Sequence, residues 1–500
     1  MRCKSCESVG FIACCTMLLL MAFALPQMYR PFWHDEVATL DLFASAGPFY
    51  PFTDYHLPNN HMLSSAVLAV MRPVSESPLW LRLWPLSTTL AACGMLVLLA
   101  RWLGGVVAAW LAGMTFACSG ITQAFALQLR GYAPSWPCLL LAALAVTAYA
   151  QRRWRKLPAM SVFAAASLAS LALLPTNLPW LLMLAAIAAW LAPEEKGVAD
   201  PYRSLWRLLW LALPAIGLIA YAGVFAQFVS ASQQSWHNPD GRWQILAEIY
   251  SDMAQDVVLL LPLTLIGAVL TWRGHVQGKS RVAAAHVAVL TAVLLAPLPF
   301  WLLSPSPPFS RAVVPWWPLI ILALVLIATP ALRLIGSRWG AVVAAMLLVM
   351  IATAGAREVV GWQPWPPRQA QNVMHQTLLL HYYRAGYRPD VAAKVIATWL
   401  RDPNAQVISD SSDFPSLRWH LTRLDPGLLS RLHFLSSDTE QASLRGWLAS
   451  RSVYFVTASE EQTCRMLAQA GQECAGRFDK IADTGFFKGY RIHPASTAQR

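Results

Sequence analysis

Residues 157–193 read LPAMSVFAAASLASLALLPTNLPWLLMLAAIAAWLAP, 37 residues without a charged side chain. As one helix, at ~1.5 Å per residue, the stretch would be roughly 55 Å long, about twice the ~30 Å hydrocarbon core of a membrane. It must fold back. The break Pro175-Thr176-Asn177-Leu178-Pro179 supplies the turn, because each proline removes a backbone donor and crowds the preceding helical turn. Outward from this pair, uncharged runs lie at Val9–Tyr29, Leu83–Ala100, Trp102–Leu129 and Gly131–Gln151 on one side. Leu208–Pro239, Val257–Trp272, Val282–Ser310, Ala312–Leu332 and Trp339–Ala356 follow on the other. Ten runs, one of them doubled, predict a polytopic α-helical membrane protein of about eleven transmembrane helices.

The composition of the 500-residue chain agrees: 56% of residues are apolar, 13% are charged, and the mean hydropathy is +0.44. A soluble domain carries about 25% charged residues. Soluble globular, disordered, collagen-like and disulfide-stapled miniprotein classes are therefore excluded. The net charge of +12 does not mark a nucleic-acid binder, since Lys and Arg flank apolar runs instead of forming one basic face. Their distribution sets orientation. With the N-terminus cytoplasmic, inner connections hold fifteen Lys and Arg, among them Arg101, Arg152, Arg153, Arg155 and Lys156. Outer connections before the tail hold six: Arg30, Arg72, Arg82, Arg130, Arg242 and Arg311. Arg2, Lys4 and Ala22-Phe23-Ala24 also suit a cleavable signal peptide, but the first run has the length of a full span.

Residues 1–356 are expected to form the membrane module, with an outer loop over 30–82 whose segment Met62–Met71 reads as an interfacial helix. Residues 357–500 are expected to form an extracytoplasmic α/β domain. Strands are predicted at Gln406–Ser409, His433–Leu435, Val453–Thr457 and Gly489–His493, with helices at Glu440–Ser450 and Glu460–Ala470. Trp362-Gln363-Pro364-Trp365-Pro366-Pro367 reads as a stiff linker. Cys464 and Cys474 share the outer domain and are expected to pair as a disulfide. The span cysteines read as small apolar fillers, and Cys3-x-x-Cys6 has no second pair with which to bind zinc. No Asn-x-Ser/Thr sequon occurs, which fits a bacterial inner membrane and its outer face.

The outer loop carries the candidate chemistry. It opens Arg30-Pro31-Phe32-Trp33-His34-Asp35-Glu36 and continues to Tyr55-His56-Leu57-Pro58-Asn59-Asn60-His61. Adjacent carboxylates at headgroup level lie where a lipid phosphate and a polar substrate meet. Taken alone, the pair also suits an ordinary solvated loop. In order along the chain follow Arg82, then Gln128-Leu129-Arg130-Gly131-Tyr132-Ala133, then Phe309-Ser310-Arg311-Ala312-Val313-Val314-Pro315.

These landmarks resemble the GT-C glycosyltransferases, and within them the protein O-mannosyltransferase and lipid A aminoarabinose transferase superfamily. Asp35-Glu36 resembles the family's acidic motif after the first span, and His56–Leu63 occupies the place of its His/Glu-x-Pro-Pro segment. Arg130-Gly131-Tyr132-Ala133 resembles its Arg-x-Tyr-Ala element, and Ser310-Arg311-Ala312 its Ser-Arg-Tyr entry to a late span. Asn59 stands where Pro is common, and Ala312 where Tyr is. The likeness covers most of residues 1–355 and implies sugar transfer from a polyprenyl-phosphate donor to an envelope lipid, glycan or protein, with inversion. Asp35 would be the general base, with Glu36 orienting the acceptor or a metal. Arg82, Arg130 and Arg311 would grip the donor phosphate, since a guanidinium offers phosphate two hydrogen bonds at once. Any one of them alone could simply be snorkelling to the interface. His56, Asn59, Asn60, His61 and Tyr132 would contact substrate, and Glu36, His56 and His61 are candidate ligands of a divalent metal. Two other classes are weighed: a transporter or flippase for the same lipid, which would need charged or broken helices at mid-membrane, and a non-catalytic envelope scaffold.

Overall fold

The computed structural model describes residues 4–57, 60–191, 203–235, 261–276, 310–334, 345–353, 389–409 and 414–434, together with scattered positions over 243–260 and most of 443–493. The predicted span Val282–Ser310, the linker Trp362–Pro367 and Asn59 lie outside these, apart from Ser310. The chain divides into two compact units: residues 1–29 with 43–378, and residues 30–42 with 379–500.

The first unit is helical. It contains α1 (Lys4–Ala24), α3 (Met62–Met71), α4 (Pro78–Leu81), α5 (Leu83–Gly104), α6 (Val106–Cys118), α7 (Gly120–Phe125), α8 (Tyr132–Ala150), α9 (Lys156–Leu173), α10 (Leu178–Trp190), α11 (Arg203–Ile216), α12 (Phe225–Ser235), α13 (Leu261–Val276) and α14 (Trp317–Leu334). α2 (His34–Ala38) belongs to the second unit. Among the described residues, six helices are long and apolar enough to cross a membrane: Val9–Gln27, Pro78–Gly104, Tyr132–Ala150, Lys156–Leu173, Ser204–Tyr221 and Val313–Leu332. The chain is an integral membrane protein.

The long run of residues 157–193 is broken at its prolines. α9 stops at Leu173, Pro175–Asn177 make a 3-10 turn, and α10 returns from Leu178. The Trp102–Leu129 run breaks more often than a single span would. Gly105 adopts φ +94°, a left-handed conformation open to glycine, which turns α5 into α6. Ser119 then caps the short α7 by accepting from the Thr122 N–H. Val313–Leu332 is 89% buried, against 22% for Ser204–Tyr221, so the former is the central helix and the latter a peripheral one. α8 packs on α5 and α9, and α14 on α5, α6 and α13.

The second unit holds a five-stranded sheet: β1 (Ala405–Ser409), β2 (Leu432–Phe434), β3 (Ser452–Thr457), β4 (Phe478–Asp483) and β5 (Lys488–Ile492). Its order is β2-β1-β3-β5-β4, with β2, β1 and β3 parallel and the last two antiparallel. Helices α15 (Pro389–Trp399), α16 (Phe414–Leu424) and α17 (Glu460–Gln469) accompany it among the described residues. Ile408, Leu444, Val453, Phe455, Leu467 and Tyr490 form its core. Cys464 on α17 is joined to Cys474 by a disulfide.

His420 on α16 makes this unit acid-sensitive. Its Nε2 is buried with no hydrogen-bond partner among the described residues. Burial pushes the imidazole down to about 4, with Asp390 opposing the shift and Arg423 adding to it. The unfolded chain, with an imidazole near ~6.5, binds the proton first. Stability is therefore complete above about pH 6.5 and falls as pH drops towards 4, by on the order of 3 kcal/mol. The urea midpoint of the C-terminal unit in the full chain, followed by limited proteolysis, is expected to fall between pH 7 and 5. His420→Gln is expected to flatten that slope.

Candidate functional site

The acidic turn is built by its own first carboxylate-bearing helix. Trp33 is extended (φ −91°, ψ 168°) and begins α2 (His34–Ala38). The Trp33 N–H donates to Glu36 Oε2 at 3.1 Å, so Glu36 satisfies one of the orphan amides at the helix start. Thr39 Oγ1 donates to the Asp35 carbonyl at 2.9 Å, where the helix passes into the π-helical turn Thr39–Phe43. The two acids thus differ. Glu36 is fully buried, whereas the Asp35 side chain keeps 12% of its surface open, with His34 Nε2 3.6 Å from its Oδ1. Asp35 keeps a small part of its side chain open, and Glu36 caps the turn.

In the first unit, the structure gathers His61, Arg130 and Tyr132. Arg130 Nε donates to His61 Nε2 at 3.0 Å. Because a guanidinium only donates, the imidazole proton sits on Nδ1, which donates to the Leu173 carbonyl at 3.1 Å. The Arg130 guanidinium also lies 5.2 Å from the Tyr132 ring centre, and the His61 and Tyr132 rings meet edge to face. All three side chains are buried. Between them Gly131 has no room for a side chain: a Cβ there would stand 2.6 Å from the Leu173 carbonyl oxygen and 3.0 Å from His61 Nδ1. Gly131→Ala is therefore expected to push the Leu173 carbonyl off His61 and free Arg130 to wander. Its measurable result is a drop of about 10-fold or more in turnover, with the protein still extracted and folded.

The loop that delivers His61 is clamped by Asn60. Its Nδ2 donates to the carbonyls of Pro51 and Asp54, at 2.8 and 2.9 Å, and its Oδ1 accepts from Ser65 Oγ at 3.2 Å. Asn60, read from the sequence as a substrate contact, spends both amide protons on its own loop. Tyr55 is fixed by Gln227, whose Oε1 accepts the Tyr55 N–H at 2.6 Å, and its ring packs on Tyr221 and Phe228. His56 faces solvent, with Nδ1 3.0 Å from both Asp54 oxygens. Asp54 also accepts from the Tyr50 hydroxyl. Burial raises the Asp54 carboxyl, but the Tyr50 and His56 hydrogen bonds outweigh it and hold Asp54 below the usual carboxylate range. The sequence reading missed Asp54; its two-residue spacing from His56 was the available signal.

Arg82 is buried, and its Nη1 donates to the carbonyls of Gln27 and Met28 at 3.2 Å each. It thereby covers carbonyls that the end of the first span leaves open. The backbone of Arg311 lies in the 3-10 segment Ser310–Trp316, and its side chain falls outside the described residues, as Asn59 does. Among the described residues, no group of three or more His, Cys, Asp or Glu side chains could hold a metal ion. Both ring nitrogens of His61 already have partners, and Glu36 Oε2 caps a helix.

No protein-family profile matches the sequence, and neither does any curated protein. Solved structures do resemble it. ArnT from Cupriavidus metallidurans, bound to undecaprenyl phosphate, superposes with a TM-score of 0.53 at 14% identity over 97% of each chain. The archaeal oligosaccharyltransferase AglB from Archaeoglobus fulgidus, in complex with an inhibitory peptide and a dolichol-phosphate, gives 0.50 at 12% identity. That match covers 98% of this chain and 74% of AglB. The protein has the GT-C fold.

Proposed function

We propose that the protein is a membrane glycosyltransferase that takes a sugar from a polyprenyl-phosphate donor and passes it to an envelope lipid, glycan or protein. The observation that carries this reading is the buried Arg130, held through Nε by His61 in a fold shared with proteins solved with undecaprenyl phosphate and dolichol-phosphate. A fixed guanidinium suits a phosphate that leaves as an anion, since such a leaving group needs charge stabilisation more than a proton. Arg130 is assigned to that phosphate, with Arg82 and Arg311 on the same predicted outer side. His61 and Asn60 hold the loop and the guanidinium in place. Tyr132 lies beside them, and His56 and Asn59 are assigned to the substrate.

The reaction is one displacement. The acceptor oxygen forms a bond to the anomeric carbon as the bond from that carbon to the phosphate oxygen breaks. The acceptor proton passes to Asp35, and the polyprenyl phosphate departs with the electron pair, so the configuration inverts. No step is routed through a metal. The bias of Lys and Arg and the Cys464–Cys474 disulfide support a site and a C-terminal domain on the outer face of a bacterial inner membrane.

The test is transfer itself. Purified protein in lipid nanodiscs, given radiolabelled polyprenyl-phosphate sugars and envelope extract, is expected to move label into an acceptor of the extract. No transfer from any donor, by protein that still binds polyprenyl phosphate, would count against the reading.

A further inference from the structure

We infer that Trp419, on α16 of the C-terminal unit, is a positioning residue for the Asp35–Glu36 turn. The inference rests on the proposed role of Asp35 as base. α2 has five residues and runs on into a π-helical turn, Thr39–Phe43, and a helical segment of that length has little stability of its own. Its orientation must come from what it packs on. Residues 30–42 cluster with residues 379–500, and the packing partner of α2 there is α16. Phe32, the residue before the helix cap, meets Trp419 edge to face with ring centres 6.0 Å apart and planes at 77°. Both rings are buried. A residue at that place fixes the angle at which the chain enters a helix, so Phe32 sets the aim of the carboxylate three residues on.

Trp419 is itself held. The Arg423 guanidinium carbon lies 3.4 Å over its ring, and Arg423 Nη1 donates to the Trp419 carbonyl at 3.1 Å. Leu417 and Leu421 on either side are buried in the unit. The chain of support thus runs from the α/β domain through Arg423 and Trp419 to Phe32, and from Phe32 to Asp35. The C-terminal domain is part of the catalytic apparatus through this contact.

The test combines turnover with hydrogen exchange on the full chain in nanodiscs. Trp419→Ala is expected to lower kcat by about 10–100-fold, because small misplacements of a reacting group cost that much, while the donor KM stays within about twofold. Amides of residues 33–38 should exchange at least about 10-fold faster, and Trp419→Phe, which keeps a ring against Phe32, should restore most of both. Phe32→Ala, which leaves the core of residues 379–500 untouched, should reproduce the loss. The double variant should be no worse than either single one. Unchanged exchange over residues 33–38 in both single variants overturns the inference, as does faster exchange with wild-type kcat. Wild-type turnover by Asp35→Asn overturns the base assignment instead, and the exchange data then still report whether the contact orders the turn.

Discussion

Asp35→Asn is expected to lower sugar transfer by about 10²–10⁴-fold, the usual worth of a positioned general base. The amide has the shape of the carboxylate but cannot take the acceptor proton. Glu36 is poorly placed to replace it, being fully buried with Oε2 on the Trp33 amide. The hydrogen bond from Thr39 to residue 35 uses the backbone carbonyl, so the turn survives the change. Polyprenyl-phosphate binding should be unaltered, which separates a lost base from a lost fold. Undiminished turnover with normal expression would remove Asp35 from the reaction. Glu36→Gln should behave differently, weakening the turn without the same collapse in rate, since a neutral amide oxygen still accepts from Trp33.

Arg130→Lys is expected to be the second most damaging change, costing about 10²-fold in kcat/KM with most of it in donor affinity. Charge is conserved, yet two things go. A lysine has no Nε–H aimed at His61, so His61 Nε2 loses its buried donor. It also lacks the planar fork that grips two phosphate oxygens. Polyprenyl-phosphate binding measured in nanodiscs should weaken by about 10–100-fold. Arg82→Lys makes the control. The partners of its Nη1 are two carbonyls, which an ammonium can also satisfy, so the loss should be several-fold smaller. Equal losses at both positions would mean that the lipid phosphate does not depend on the Arg130–His61 arrangement.

Much of this architecture could be read from the chain because its physics is local. A run of 37 uncharged residues exceeds one membrane thickness, and Pro175 and Pro179 mark where it turns. Strands β1, β3 and β5 fall within a residue of their expected ends, since short runs rich in β-branched and aromatic residues mark strands. β4 escaped notice because Phe478-Asp-Lys-Ile-Ala-Asp483 is an edge strand, mostly open to solvent, and only its pairing with β5 makes it one. The site was legible as a list of residue types. Its division of labour was not. Nothing in the spacing says that Asn60 binds its own loop, that His61 joins Arg130 to a carbonyl of α9, or that residues 30–42 take their support from a helix almost four hundred positions away.

That last connection bears on biosynthesis. The second unit is assembled from two stretches separated by 336 residues, from Phe43 to Leu378. At ~5–20 residues per second, a ribosome needs about 20–70 s to deliver the later stretch after the earlier one has emerged. On the proposed topology, the acidic turn crosses the bilayer before α16, its proposed support, has been made. If α16 supports the turn as proposed, a nascent chain stalled or terminated before residue 414 is expected to be inserted, with its first spans complete, yet inert.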